Sequence, residues 1–199
     1  MKEHADLKGW GDKMRVVVGI AGATGIIYGI RLLEALKQVS IETHLVMSHW
    51  AIENLRIETD YNLDDVRSLA TTCYDNSQLG ATIASGSFRT EGMVIIPCSM
   101  KSLSAISHGY SETLLHRAAD VTIKEGRKLI IAPRETPLNA IHLENMLKLA
   151  RIGVIIMPPM PSFYHKPQSI ADIVEHHTGR ILDCLKIDNQ LANRWAGEN

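Results

Sequence analysis

Arg15-Val16-Val17-Val18-Gly19-Ile20-Ala21-Gly22-Ala23-Thr24-Gly25 runs an apolar segment straight into a turn with a glycine at every third position. An apolar run without polar alternation predicts a strand covered on both faces, the habit of parallel sheets. Beyond the turn, residues 27–39 carry Ile30, Leu33 and Leu36 at helical spacing. Strand, glycine turn and helix together make one βα unit.

Outward from that unit the pattern repeats. Residues 43–47, 93–96, 128–132 and 153–157 are further apolar strands. Residues 111–126, 138–151 and 168–186 are helical, the last with Ile170, Ile173, Val174, Ile181 and Leu182 as its apolar stripe. This alternation predicts an α/β protein: a single Rossmann-like (flavodoxin-like) three-layer α/β/α domain on a mostly parallel sheet. The domain is expected over residues 14–199, and the charged stretch 1–13 as a poorly ordered N-terminal extension.

The chain has 199 residues, 45% hydrophobic and 22% charged, with a net charge of −1, ordinary values for one globular domain. No basic or acidic block marks a nucleic-acid or membrane-surface binder, so the expected partners are small molecules and protein subunits. Cys73, Cys98 and Cys184, odd in number and far apart, fit reduced thiols rather than a zinc site. The histidines show no ligand spacing beside a carboxylate, and no metal is expected. The first residues are polar, unlike a signal peptide, and no apolar run nears the roughly 20 residues that span a bilayer. The expected compartment is the cytoplasm.

The glycine turn lets a ligand approach the backbone and sets amide N–H groups and the Thr24 hydroxyl at a helix N-terminus, where phosphate binds. It is not Gly-x-Gly-x-x-Gly, and strand two ends at Ser48 rather than at a carboxylate for a ribose. A mononucleotide therefore suits it better than a dinucleotide, although the same glycines would also serve helix–strand packing alone. Pro97-Cys98-Ser99-Met100-Lys101-Ser102 leaves another strand with hydroxyls, amides and an ammonium, and Ser85-Gly86-Ser87 is placed to close over the same ligand. Turn or N-cap chemistry is the other reading of these serines. Cys98 reads as a buried, inert thiol.

Arg134-Glu135-Thr136-Pro137-Leu138 follows the 128–132 strand, placing a fixed cation beside a titratable carboxylate where open parallel sheets hold ligands. Arg117, Lys124 and Arg127 precede that strand, and Tyr164 and Arg180 follow later; such groups suit a phosphate. Arg117, Lys124 and Arg127 equally fit a solvated helix stripe with Glu125 as a partner. A small phosphorylated molecule is the expected substrate.

Gly22-Ala23-Thr24-Gly25, Glu58-Thr59-Asp60, Ala84-Ser85-Gly86-Ser87, Pro97-Cys98-Ser99-Met100, Arg117-Ala118-Ala119-Asp120-Val121 and Lys124-Glu125 resemble the flavin prenyltransferase (UbiX-type) family. Arg134 to Leu138, His142-Leu143-Glu144-Asn145-Met146, the stretch from Pro158 to Ser169 and Arg180 extend the resemblance from Met14 to about Trp195. It implies a metal-independent transferase that joins a dimethylallyl group from dimethylallyl phosphate to N5 and C6 of reduced FMN. It further implies a homo-oligomer, a dodecamer, that passes prenylated FMN to a UbiD-type aromatic-acid decarboxylase, such as one acting on 4-hydroxybenzoate.

Carried over position by position, the resemblance assigns FMN to Gly22, Ala23, Thr24, Ser48, Ser99, Met100, Lys101, Ser102 and Arg134. It assigns the allylic phosphate to Tyr164 and Arg180, with Arg117 and Lys124 countering the charge that grows as phosphate leaves. Glu135 is the expected proton-transfer group and Glu58 a second, assisting carboxylate. Thr24 stands where many relatives carry Ser, and Leu79 in a region where some place Trp. The alternatives are an FMN-dependent decarboxylase of the cysteine-decarboxylating kind and a passive flavin carrier. The former's usual Pro-Ala-Ser-Ala-Asn-Thr loop is replaced here by Pro97-Cys98-Ser99-Met100.

Overall fold

The glycine turn leaves the central strand of a six-stranded sheet. In the computed structural model, which describes residues 14–192 and 197, the strands are β1 (Arg15–Ile20), β2 (Glu42–Met47), β3 (Thr72–Tyr74), β4 (Gly92–Cys98), β5 (Lys128–Pro133) and β6 (Ile155–Ile156). The expectation for residues 1–13 and the position of Trp195 lie outside the described residues. The strands pair in parallel in the order β3-β2-β1-β4-β5-β6, with Val18 of β1 opposite Leu45 on one side and Val94 on the other. Crossovers place every strand's carboxyl end on one edge, and the chain reverses its direction of travel between β1 and β4, opening a ligand crevice there.

The helices are α1 (Ile26–Gln38), α2 (His49–Glu58), α3 (Leu63–Ser68), α4 (Met100–Ser107), α5 (Leu114–Lys124), α6 (Ala140–Arg151) and α7 (Ile170–Leu185). Side chains alternate across a strand, so the sheet divides its apolar residues between two cores. Val16, Val18 and Ile20 pack with Leu33, Leu36, Ile181 and Leu182 beneath α1 and α7. Val17, Met93 and Ile95 pack with Leu103, Leu115 and Ala119 beneath α4 and α5.

The long buried strands and α1, α5, α6 and α7 lie where periodicity puts them. β3 escaped that reading because its three residues are a half-exposed edge with no apolar run. Helix α2 buries only Ala51 and Leu55, too few to print a stripe, and α4 occupies what reads as a loop after β4. The expected strand 153–157 shrinks to two residues. Gly153 before it sits at φ 88°, a left-handed conformation natural to glycine and foreign to a strand. Among the described residues no helix is long and apolar enough to cross a membrane, and Cys73, Cys98 and Cys184 are free thiols.

Candidate functional site

Backbone hydrogen bonds lace the carboxyl edge together. Ser48 N donates to Ile20 O (2.9 Å), Ala21 N to Pro97 O (3.0 Å), Arg134 N to Cys98 O (3.1 Å) and Met157 N to Ile131 O (2.8 Å). The glycine turn, Ser48, the segment from Ser99 to Ser102 and Arg134 therefore share one rigid frame. The serines act as N-caps: Ser48 Oγ accepts from Ala51 N (3.1 Å), and Ser99 Oγ accepts from Ser102 N (3.3 Å) while donating to Ser102 Oγ (3.3 Å). Capping and ligand binding are compatible here, because each cap marks a helix N-terminus whose amides and dipole favour an anion. Lys101 and Arg134 are exposed at the same edge. Cys98 is fully buried, and burial pushes its thiol up to about 12, so it is protonated at neutral pH and no nucleophile.

At the glycine turn, Glu58 at the end of α2 reaches across so that its Oε2 accepts from Gly25 N (2.7 Å) and Ile26 N (3.0 Å). The α1 N-terminal amides, expected to be open to phosphate, thus hold a carboxylate of the same chain. Gly25 has no side chain to cap its own helix, and Glu58 supplies the missing acceptor. The anion-binding amides of this edge are accordingly those of α2 and α4. A Cβ on Gly22 would stand 2.3 Å from the Trp50 Cβ, so packing of α2 alone demands glycine at that position. A cleft of about 590 Å³ opens at the ends of β2 and β3, lined among others by Met47, His49, Tyr74, Asn76, Lys101 and Thr113. Of the residues assigned to flavin only Lys101 lines it; the cleft adjoins the β1–β4 crevice and does not coincide with it.

Glu135 is exposed beside Arg134, and its Oε1 accepts from Thr136 N (3.0 Å). Lys124 ends α5 four residues before β5, at the opposite end of that strand from Arg134. A six-residue strand spans roughly 20 Å, so the two cations do not meet within one chain. Lys124 pairs with Glu125 (2.5 Å) and Arg117 with Asp120 (2.9 Å). Arg127 donates to the carbonyls of Phe88 (2.7 Å) and Gly86 (2.5 Å), latching Ser85-Gly86-Ser87 to the amino edge. The expectation that this serine loop closes over the ligand of its own chain is thereby corrected.

Tyr164 lies in the loop between β6 and α7, its Oη 3.3 Å from His176 Nε2, and Arg180 on α7 pairs with Asp183 (2.9 Å). Within one protomer Lys124 thus lies at the amino edge, away from the residues assigned to flavin at the carboxyl edge. Sequence reasoning passed over Glu58 as a cap and His176 as a neighbour of Tyr164. Each of these depends on a contact between distant elements, for which no local pattern exists.

The family described as Flavoprotein matches residues 5–187. The chain is 55% identical over 185 residues to flavin prenyltransferase LpdB of Lactiplantibacillus plantarum, covering 92% of this chain and 99% of that protein. It resembles a dodecameric FMN-dependent UbiX-like decarboxylase from Escherichia coli O157:H7 with a TM-score of 0.91 and 51% identity, over 92% of this chain and all of that one (100%). AnUbiX (PadA1), solved in complex with FMN and dimethylallyl pyrophosphate, gives a TM-score of 0.92 and 46% identity over 94% of this chain and 100% of its own.

Proposed function

The chain belongs to the UbiX-like flavin prenyltransferases of the flavoprotein family, and we propose that it binds reduced FMN at the carboxyl edge of its sheet and prenylates it from dimethylallyl phosphate. The observation that carries the flavin site is the shared frame of Ser48, Ser99 and Arg134, fixed to the glycine turn by backbone hydrogen bonds across β1, β2, β4 and β5. Hydroxyls, helix N-terminal amides and two exposed cations are the donor set a flavin mononucleotide needs. Reduced FMN supplies the electron-rich nucleophile, at N5 and then C6, for the dimethylallyl group. Gly22, Ala23 and Thr24 border it, Ser48, Ser99, Met100, Lys101 and Ser102 hold it, and Arg134 adds a fixed charge.

Tyr164 and Arg180 bind the donor phosphate. Arg117 and Lys124 stabilise the negative charge that grows on it as the C–O bond breaks, and cations held in place do this without reorganising. Glu135 exchanges a proton with the departing phosphate or with the flavin during ring closure, a contribution of about 10² to 10⁴ in rate. Glu58, already holding the glycine turn, assists from beside Thr24.

Because Lys124 and the flavin-binding residues lie at opposite edges of one protomer's sheet, the complete site is formed where subunits meet in a homo-oligomer, which we take to be a dodecamer. The exposed Ile141, Leu143 and Leu147 of α6 suit such a contact. Prenylated FMN then passes to a UbiD-type decarboxylase of aromatic acids, and three free thiols fit a reducing, cytoplasmic setting.

The test is anaerobic incubation with reduced FMN and dimethylallyl phosphate, followed by mass spectrometry of the extracted flavin, beside Glu135→Gln. A flavin heavier by one prenyl unit, slowed or lost in the variant, is expected. Unaltered FMN despite measured binding would overturn the transferase reading in favour of a carrier.

A further inference from the structure

Ser85-Gly86-Ser87, held at the amino edge, packs against the end of α5. Ser87 N donates to Ser85 Oγ (3.4 Å), the two hydroxyls lie 2.9 Å apart and Phe88 N donates to Ser85 O (3.2 Å), which closes a tight turn on itself. Arg127 binds the carbonyls of Gly86 and Phe88, and the Phe88 ring lies edge-on to the buried His44 (4.9 Å) and under the Arg15 guanidinium (5.4 Å). The turn is therefore fixed to β1, to β2 and to the residue that leads into β5.

Adjacent residues on a helix do not face each other. Lys124 and Glu125 nevertheless pair at 2.5 Å, because α5 ends between them: Glu125 is the C-cap, and Gly126, at φ 65°, turns the chain out of the helix. The same turn brings the Glu125 carboxylate against Gly86. A Cβ on Gly86 would stand 2.0 Å from Glu125 Oε1 and 2.9 Å from Lys124 Nζ, and Gly86 has no left-handed backbone that would require glycine for another reason. Glycine at 86 thus makes room for the ion pair. The Lys124 ammonium, and after it Arg127, hold the Glu125 carboxyl below its usual range, so it is ionised at neutral pH.

We propose that Gly86 and Glu125 are positioning residues for Lys124: together they hold its ammonium where it meets the donor phosphate in a neighbouring subunit's site. This rests on the reading of Lys124 as a donor-phosphate group and extends it to two residues that need no contact with the substrate. Lysine ends a flexible four-carbon stem, and a cation stabilises a transition state best when it is already in place. An ammonium has three hydrogens, and Glu125 takes one, which leaves two for phosphate oxygens.

The experiment is prenyl transfer by the full-length enzyme at saturating reduced FMN, with dimethylallyl phosphate varied, in Glu125→Ala, Glu125→Gln and Gly86→Ala, each also in a Lys124→Ala background, with reduced-flavin affinity measured beside it. Glu125→Ala frees the ammonium, Glu125→Gln returns an oxygen acceptor without the charge, and the methyl of Gly86→Ala pushes the carboxylate aside. Glu125→Ala and Gly86→Ala should each lower kcat/KM for the donor roughly three- to tenfold, the cost of ordering one long side chain, with flavin affinity unchanged. Glu125→Gln should recover most of that loss, and against Lys124→Ala none of the three should lower the residual rate further. A kcat/KM that rises in both Glu125 variants would overturn the inference, because the carboxylate would then only damp the charge of Lys124. Undiminished activity in Gly86→Ala, no rescue by Gln, or losses that persist without Lys124 would overturn it as well. Parental kcat/KM in Lys124→Ala itself would instead remove the donor-phosphate role of Lys124, and the inference would fall with it.

Discussion

Burial drives the His177 imidazole from an ordinary 6.5 down to about 4, with the neighbouring His176 adding to the shift. In the folded chain His177 is neutral between those values, while in the unfolded chain it takes up a proton. Stability therefore falls as pH drops from about 6.5 toward 4, and is fully present above 6.5. From pH 7 to pH 5 the loss attributable to this one side chain is on the order of 2 kcal/mol. Burial lowers His44, His116 and His176 in the same direction, so the observed fall is steeper than one residue gives. Denaturant titrations at a series of pH values should show this slope, and His177→Leu should flatten it; an unaltered slope in the variant would mean that His177 is not the titrating group. The same physics silences Cys98, whose burial withholds the thiolate.

At the scale of the element, α1 is the helix on which the site end of the sheet depends. Its Gly29 lies against β4, where a Cβ would come within 2.7 Å of the Ile96 carbonyl oxygen and 2.8 Å of the Ile20 Cδ1. Alanine in a helix interior normally gains about 1 kcal/mol over glycine, but overpacking against a backbone atom costs about 1–3 kcal/mol and cannot be relieved by a side-chain rotation. Gly29→Ala should therefore lower the denaturant midpoint, and a raised midpoint would show that α1 can move off the sheet. This contact also marks the limit of what periodicity reveals. Ile30, Leu33 and Leu36 disclose the helix because they recur every turn, whereas the need for glycine at 29 comes from β4, far away in sequence. Glu58 is a parallel case: it caps α1 from the end of α2, so no local capping pattern announces it. β3 and α2 to α4 lie in the same blind region, being short, half-exposed or held by loops rather than by an apolar stripe.

For the whole molecule, the motifs assigned to chemistry are legible one by one, yet the separation of Lys124 from Arg134 and Glu135 is not, because it depends on the direction in which α5 runs. Arg134 and Glu135 leave the carboxyl end of β5, and Lys124 arrives at its amino end. If one subunit's carboxyl edge is completed by another's α5, two defects on different chains can compensate. Lys124→Ala and Glu135→Gln should each suppress prenyl transfer when present in every subunit, with the fold intact because both side chains are exposed. In oligomers assembled from equal amounts of the two variants, a site that draws these residues from different subunits is intact in about one case in four under random closed assembly. Activity should then rise to about a quarter of the parental value, whereas a site built within one chain has no intact copy and should stay silent. Size-resolved assay of the mixed oligomers separates the outcomes: recovery confined to the assembled fraction establishes the shared site, and its absence would require α5 to act elsewhere than at the donor phosphate.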